Sequence, residues 1–247
     1  MTGYSDNALV RGLTFLAEKQ ASIANNLANV DTTSFKRRAA VAQESGERFF
    51  TLLDREMSAV DYVEKADMRR GTLKETGNRF DVALENNNQW LRVRNEDGRE
   101  FYTRNGQLKI DQQGYLATRD DLRVLNRDGA EMLLGVGENT PTDLAFSPNG
   151  TVSNTTTGQQ WGQMAMVELP DEQALLPVGR GLYTDTANQQ GTQATDGLQQ
   201  GYLEGSNVDS LQELVAMITV QRSFSATQRA LTGMDQLQKN MITQMLR

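Results

Sequence analysis

The sequence predicts an α+β protein in which long N- and C-terminal helices flank a central antiparallel β domain. Two observations lead to this prediction. Apolar residues recur at alternating spacings of three and four at both ends of the chain, whereas the middle contains short alternating runs separated by glycine turns. We therefore divide the chain into an N-terminal helical segment (1–38), a partly extended connector (39–70), a β-rich domain (71–205) and a C-terminal helical segment (206–247).

The N-terminal helix has an apolar seam in the a/d register of a coiled coil, which lasts for three heptads. Gln20 occupies one seam position, and polar and β-branched residues at 29–33 predict the end of the helix. The apolar members of this seam are Leu9, Leu13, Leu16, Ile23 and Leu27.

The C-terminal helix repeats the pattern over a longer distance, and we expect the two helices to pair as a coiled-coil-like stalk. Ser206 and Asp209 stand in the S-x-x-D order of a capping box, which predicts the start of this helix. A helix of about 38 residues is roughly 57 Å long, so its far end extends beyond the N-terminal helix. Leu211, Leu214 and Ile218 widen the apolar stripe at its start. Its seam residues are Met217, Val220, Phe224, Leu231, Met234, Met241 and Met245.

The middle of the chain has the pattern of an antiparallel meander. Glycines in turn contexts lie at 98, 106, 114, 129 and 150, and short apolar runs between them predict strands at 90–94, 107–110, 122–125 and 164–167. The polar, glycine-rich stretch 185–201 predicts a long loop that leads to the C-terminal helix.

Composition excludes the commonest catalytic designs. The 247 residues include no cysteine and no histidine, which removes disulfides, Cys/His zinc sites and His-based acid–base chemistry. No local motif marks a nucleotide site or an activated nucleophile. We therefore predict a protein that is not an enzyme, with no cofactor and no metal site.

Charge and hydropathy exclude two classes of partner. The net charge is −7, and because segments 1–38 and 206–247 carry +2 and +1, the middle carries −10. Such an acidic middle is unsuited to phosphate backbones, so nucleic acid is not an expected partner. The basic run 36–38 is interpreted as a solvated helix exit. No apolar run approaches the roughly 18 residues of a membrane span, and the first 20 residues lack the features of a cleaved secretory signal.

Four segments resemble, in order, the signatures of bacterial flagellar axial proteins. They are ANNLANVDTTSFKR at 24–37, GTLKETGNRFDVAL at 71–84, YTRNGQL at 102–108, and GYLEGSNVD with the following EL, MI and QRSF at 201–224. The resemblance implies a flagellar basal-body rod protein, located in the rod that crosses the periplasm. Such subunits stack helically with their terminal helices inside, and the flagellar type III apparatus exports them without signal cleavage.

The resemblance also implies the partners and the surfaces that bind them. Copies of the same chain, other rod and hook proteins and the export apparatus are the expected partners, and the two seams are the expected contact surfaces. Asn25, Asn26 and Asn29 are further candidates, because their amides can bridge helices; for Asn29 a local C-cap is the alternative. We expect the terminal segments to fold on assembly.

Length restricts the choice to the proximal and distal rod subunits. The connector holds no proline and a single glycine, Gly46, which favours the proximal type, although 102–106 and 221–224 resemble the distal type more. Two departures concern turns: Ser34 replaces the family's glycine, and the segment from Asn86 to Trp90 replaces the family's G-x-G-F-F. Because asparagine tolerates left-handed backbone better than most residues, we expect the second turn to survive. The alternative is a ligand- or carbohydrate-binding β domain on a coiled-coil stalk, which explains the architecture but not the four ordered motifs.

Overall fold

A computed structural model describes residues 3–44, 60–135, 141, 143–187, 189 and 191–245. Helix α1 comprises Gly3–Ala28 and helix α2 comprises Ser210–Met245. The strands are β1 Arg38–Glu44, β2 Val60–Ala66, β3 Leu73–Glu75, β4 Val82–Leu84, β5 Gln89–Arg94, β6 Glu100–Thr103, β7 Leu108–Ile110, β8 Leu116–Thr118, β9 Arg123–Val124, β10 Leu144–Phe146, β11 Thr151–Asn154, β12 Gln160–Gln163, β13 Met166–Glu168, β14 Leu175–Gly179, β15 Leu182–Asp185, β16 Thr192–Gln193, β17 Leu198–Gln200 and β18 Tyr202–Glu204.

The chain divides into two compact units. In the first unit α1 packs against α2 and β1, and β1 pairs with β2 in antiparallel register from Arg38 opposite Ala66 to Glu44 opposite Val60. The predicted connector 39–70 therefore contains nearly all of this two-stranded sheet. Its residues 45–59 lie outside the described residues.

The second unit contains 31–37 and 68–207 and is built from antiparallel sheets. Its largest sheet has the order β14-β15-β6-β5-β9-β8-β7, with β13 paired to β5 and β16 paired to β13. A three-stranded sheet (β10-β11-β12) and the pairs β17–β4 and β18–β3 complete the described strands. The predicted α+β class, with a central antiparallel β domain between terminal helices, is confirmed.

Alternating side chains of these strands fill one apolar core. Strand β5 alternates in this way over its second half, since Leu91 and Val93 are completely buried while Arg92 and Arg94 are half-buried, whereas both faces are covered at its start, where Trp90 is also buried. Members from several sheets meet in this core, among them Val82, Leu84, Leu116, Val124, Leu144, Val152, Met164 and Met166.

Glycine plays two different roles at the predicted turns. Gly98, Gly114, Gly129 and Gly150 have φ of 79°, 88°, 81° and 83°, a left-handed conformation that glycine adopts without strain. Gly106 is different: a Cβ there would lie 1.8 Å from the carbonyl oxygen of Val82, so close backbone approach requires glycine.

Two sequence-based boundaries are wrong. The stretch 185–201 is not one long loop, because β16 and β17 both lie within it and pair with β13 and β4. Helix α2 begins at Ser210, later than the capping box predicts. Asp209 is its N-cap, since the Asp209 carboxylate accepts hydrogen bonds from the backbone N–H groups of Leu211 (2.9 Å) and Gln212 (3.1 Å). Among the described residues, neither helix has the apolar length that crossing a membrane requires.

Candidate assembly surface and its buried anchor

The predicted seam of α1 lies on the less exposed side of that helix. Ile23 is buried, whereas Val10, which lies off the seam, is half exposed to solvent. The remaining apolar seam residues are half-buried: Leu9, Leu13, Leu16 and Leu27.

The predicted seam of α2 shows the same pattern as far as Met234. Val220 is buried, and Met217, Phe224, Leu231 and Met234 are half-buried. Met241 is 55% exposed, and the side chain of Met245 lies outside the described part of the structure. Since α2 has 36 residues and α1 has 26, the longer helix extends about 15 Å further.

Asn26 joins three elements of the first unit. This fully buried amide donates to the carbonyl of Arg38 (2.8 Å) and to Glu213 Oε2 (3.3 Å), and it accepts the Arg38 N–H (2.8 Å). The contact links the end of α1 to the start of α2, so the packed helices run in opposite directions. Asn25 is exposed, and the Asn29 amide donates to the Asn25 carbonyl (2.9 Å), a local contact.

The outer face of α2 carries a stripe of large apolar side chains. Leu211, Leu214, Val215 and Ile218 expose 70%, 46%, 58% and 52% of their surface. We call these four residues the α2 outer stripe. The spacings of three and four place them together over the first two turns, on a different side from the seam. An exposed apolar patch on a soluble protein usually marks a contact surface.

The second unit contains three fully buried charged side chains, Lys36, Arg104 and Glu204, which we call the buried anchor. Glu204 Oε1 accepts from Lys36 Nζ at 2.7 Å and from the backbone N–H of Gly71 at 3.0 Å. Glu204 Oε2 accepts from Arg104 Nε at 2.7 Å. One carboxylate thus compensates two buried cations.

The cations also complete the hydrogen bonding of buried backbone. Lys36 Nζ donates to the carbonyl of Arg69 (2.9 Å), and the Arg104 guanidinium lies 5.7 Å from the Trp90 ring centre. The same guanidinium donates to four carbonyl oxygens, those of Leu84 (3.1 Å), Asn86 (2.8 Å), Asn87 (2.8 Å) and Gln89 (2.6 Å).

Electrostatics at the anchor follow from this arrangement. Burial disfavours the charged form of Glu204, but the neighbouring Arg104 and Lys36 outweigh it and lower the pKa of the carboxyl. Burial also lowers the pKa of the Lys36 amine; Glu204 opposes this shift and Arg104 reinforces it. Glu172 faces the same cations, yet burial raises its pKa.

The segment after α1 is held at this anchor by Ser34. Its φ is 56°, so the left-handed turn persists although serine replaces glycine. The Ser34 hydroxyl donates to the Arg104 carbonyl (2.7 Å), and the Ser34 N–H donates to the Glu204 carbonyl (2.8 Å). Asn207 also holds this segment, since its side-chain oxygen accepts a hydrogen bond from the Arg37 N–H (2.7 Å).

Sequence reasoning missed this anchor. The interpretation of 36–38 as a solvated exit is wrong for Lys36, which is buried. Residues 86–89, where the sequence departs from the family's glycine-containing segment, form a turn. No residue of 86–88 has positive φ, so the tolerance of asparagine for left-handed backbone is not what preserves this turn. The one sequence signal for the anchor is that its members stand inside family-like motifs. The described residues contain no group of three or more acidic side chains that could hold a metal ion.

Three family models match the chain in order. "Flagella basal body rod protein" matches 7–36, "Flagellar hook protein FlgE/F/G D1 domain" matches 86–154, and "Flagellar basal body rod FlgEFG protein C-terminal" matches 199–245. Together these segments cover more than half of the sequence. The chain belongs to the flagellar basal-body rod proteins of the FlgF/FlgG type. This is a family of structural proteins not known as enzymes, which supports the non-enzymatic prediction.

Individual rod proteins are similar over nearly the whole chain. FlgG of Buchnera aphidicola is 28% identical over 87% of this chain and 89% of its own length. FlgG of Bacillus subtilis is 27% identical over 94% and 96%, and FlgF of Caulobacter vibrioides is 27% identical over 96% and 97%. Identity does not separate the two types. Each matched segment supplies one member of the buried anchor: Lys36, Arg104 and Glu204, respectively.

Proposed function

We propose that this chain is a structural subunit of the flagellar basal-body rod that polymerises helically through its terminal helices and transmits torque. The observation that carries the proposal is the α2 outer stripe, an apolar surface exposed on a member of the rod-protein family. Burying a large aliphatic side chain contributes roughly 1.5–3 kcal/mol, so several such side chains on each subunit can drive assembly once ordering costs are met.

Within this proposal the seams have two tasks. From Leu9 to Leu27 and from Met217 to Met234 they pair α1 with α2 in a coiled-coil-like manner, and Met241 and Met245 at the end of α2 contact neighbouring subunits. Asn26 fixes the helix junction, while Asn25 contacts a neighbour through its exposed amide. The partners are copies of this chain and other axial flagellar proteins of the rod and hook. The 1–38, 39–70, 71–205 and 206–247 division describes core helices, connector and outer domain of the assembled subunit.

The proximal rod is the preferred position and the distal rod the next. The connector 39–70, without proline and with one glycine, supports the proximal assignment. Deletion of the gene in its own host, followed by electron microscopy of basal bodies, tests both. Loss of swimming with the rod truncated near its base is expected for the proximal type, and truncation further out supports the distal type. Normal flagella would contradict a rod function.

Export belongs to the same proposal. The chain reaches the basal body through the flagellar type III apparatus without a cleaved signal peptide. The mass of the subunit recovered from basal bodies tests this, because cleavage of an N-terminal segment would contradict it.

A charge in the outer stripe tests the assembly surface. Ile218→Asp is expected to abolish rods and swimming, because a carboxylate cannot be buried unpaired in an apolar contact. Ser223→Asp is the matched control, since it places the same charge on an exposed polar position of α2 that faces away from the stripe. Phe224→Asp tests the seam and is likewise expected to block assembly with the β domain still folded. Normal swimming of the Ile218 variant would refute the stripe as a contact surface.

Coupled folding completes the proposal. A pair of helices leaves its outer faces exposed, so we expect α1 and α2 to become stable only in the assembled rod. Hydrogen exchange on the dilute full-length monomer should show rapid exchange of helical amides and slow exchange in strands such as β5. Strong protection of both helices in the monomer would contradict this expectation.

A further inference from the structure

Arg222 extends the α2 outer stripe by one turn. It follows Ile218 by four residues and is exposed, and it forms no ion pair within the part of the chain that the structure describes. The outer surface of α2 therefore combines large aliphatic side chains with one uncompensated cation at the end nearer the middle of the helix.

A groove with complementary properties lies on the other helix of the same unit. It is lined on α1 by Glu18, Ala21, Ser22 and Asn25, and on the neighbouring strands by Arg38, Ala40 and Glu64. The small side chains allow a helix to approach closely. Glu64 pairs with Arg38 at 3.3 Å, whereas Glu18 has no cationic partner among the described residues.

We propose that the α2 outer stripe of one copy docks into this α1 groove of a second copy, with Arg222 pairing to Glu18. This inference rests on the proposed rod function and names the surfaces that join successive subunits. Size and charge both favour it: large aliphatic side chains meet small ones, and each surface supplies the charge that the other lacks. In an antiparallel arrangement Arg222 reaches Glu18 when Ile218 lies over Ala21 and Val215 lies over Asn25, because both helices rise 1.5 Å per residue.

Symmetry separates this contact from a dimer. Docking of the stripe onto the same stripe of a partner would be isologous, would close after two copies and would leave Glu18 uncompensated. Docking of a stripe into the groove of the next copy is heterologous and leaves one unused stripe or groove at each end of the assembly, so growth continues wherever the rotation between copies does not close a ring. Glu18 and Arg222 lie on faces opposite the seam, so the pair forms between copies and not within one.

Single cysteines test the contact directly, because the natural chain contains none. Ala21→Cys and Ile218→Cys variants are expressed together in the host, and basal bodies are isolated and run on non-reducing gels. We expect a disulfide-linked dimer of this chain when both variants are present and none when either is present alone. A mixture of Lys19→Cys and Ser223→Cys, two exposed positions on other faces of α1 and α2, is the matched control and is expected to give at least about fivefold less dimer.

Other outcomes overturn the inference. A dimer formed by the Ile218→Cys variant alone means isologous packing of the stripe. Intact basal bodies without linked dimers in the mixture mean that another axial protein or another surface covers the stripe; the rod function then stands and the inference fails. Basal bodies that lack this chain altogether would refute the rod function itself.

Charge reversal gives an independent readout. Glu18→Arg and Arg222→Glu each place like charges together and are expected to lower the number of completed basal bodies about tenfold. The double variant restores the opposite-charge pair and is expected to return within about twofold of the natural protein. Failure of the double variant to exceed both single variants would overturn the pairing.

Discussion

Replacing Glu204 with glutamine removes the one anion of the buried anchor and keeps its shape. The carboxylate accepts three hydrogen bonds, from Lys36, Arg104 and the Gly71 N–H. After Glu204→Gln, the two buried cations lose their hydrogen-bonded counter-charge, and the new amide group points a donor at donors. The cations keep only Glu172, which forms no ion pair with either of them in the described part of the structure. Removing one partner of a buried ion pair costs about 3–5 kcal/mol.

That loss is a large share of the stability of a domain of this size. Typical domains unfold with about 5–15 kcal/mol, and each kcal/mol shifts the midpoint by roughly 2–4 °C at 150–250 residues. We therefore expect the β-domain transition of Glu204→Gln to fall by about 10 °C. Thermal unfolding followed by tryptophan fluorescence measures this midpoint, and urea unfolding gives the free energy, since Trp90 is fully buried beside Arg104.

Two further variants make the result specific to the anchor. Glu75→Gln, an exposed glutamate on β3, is the matched control and is expected to change the free energy of unfolding by less than about 0.5 kcal/mol. Lys36→Met combined with Glu204→Gln removes one cation with the anion, so the double variant should lose less than the sum of the single variants. A loss below about 1 kcal/mol for Glu204→Gln, or strict additivity in the double variant, would refute a charge-compensated anchor.

Three other perturbations test the same region. Because the pKa of Glu204 is lowered in the folded state, its contribution to folding stability is present above the ordinary carboxyl pKa and is lost as pH falls through the folded-state pKa. The stability difference between the natural protein and Glu204→Gln should therefore shrink in acid. Urea unfolding at each pH measures this difference, and the Glu172 contribution is common to both proteins. Gly106→Ala should lower the free energy of unfolding by more than about 3 kcal/mol, because its Cβ would lie 1.8 Å from the Val82 oxygen. Gly129→Ala, at φ 81° in open space, should lower it by about 1–2 kcal/mol. Equal unfolding midpoints for the two variants would contradict this account. Simultaneous replacement of Lys36, Arg104 and Glu204 by methionine should still lower the unfolding midpoint, and a midpoint at or above that of the natural protein would show that the backbone contacts of the cations are dispensable.

The helices could be predicted from the sequence because their signal is periodic and local. The spacings of Leu9 to Leu27 and of Met217 to Met234 correspond to the less exposed sides of α1 and α2. The same periodicity does not state which surface covers an apolar residue. The periodicity places Leu211 and Ile218 in a widened apolar stripe, and the structure exposes both on the outside of α2.

Short strands were predictable only where their own side chains alternate. The predicted strand at Trp90–Arg94 lies within β5. Thr192–Gln193 is polar and gives no such signal, and it forms β16 because it pairs with the edge of β13. Neighbouring strands, not local propensity, decide such a segment.

The buried anchor was beyond local inference for a different reason. Its members are separated by 168 residues between Lys36 and Glu204 and by 100 between Arg104 and Glu204. Charged residues are seldom fully buried, so single-residue preferences assign each of them to the surface. Only their places in three separate family-like segments connect them.

The need to hydrogen-bond buried backbone carbonyl groups explains why this site holds ionic side chains instead of apolar ones. An ion pair can often be exchanged for apolar side chains of similar volume without loss of stability. Here the exchange is unequal, because Arg104 donates to four carbonyl oxygens and Lys36 donates to that of Arg69. Each buried carbonyl left without a donor costs about 1–3 kcal/mol. The turn at 86–89 and the approach to β3 thus depend on side-chain donors, and the guanidinium supplies enough N–H groups to reach several oxygens at once. Glu204 is the group that makes two such cations tolerable inside the protein, and it stands at the end of the last strand before α2. The ionic anchor is therefore a consequence of how the backbone is folded at this site.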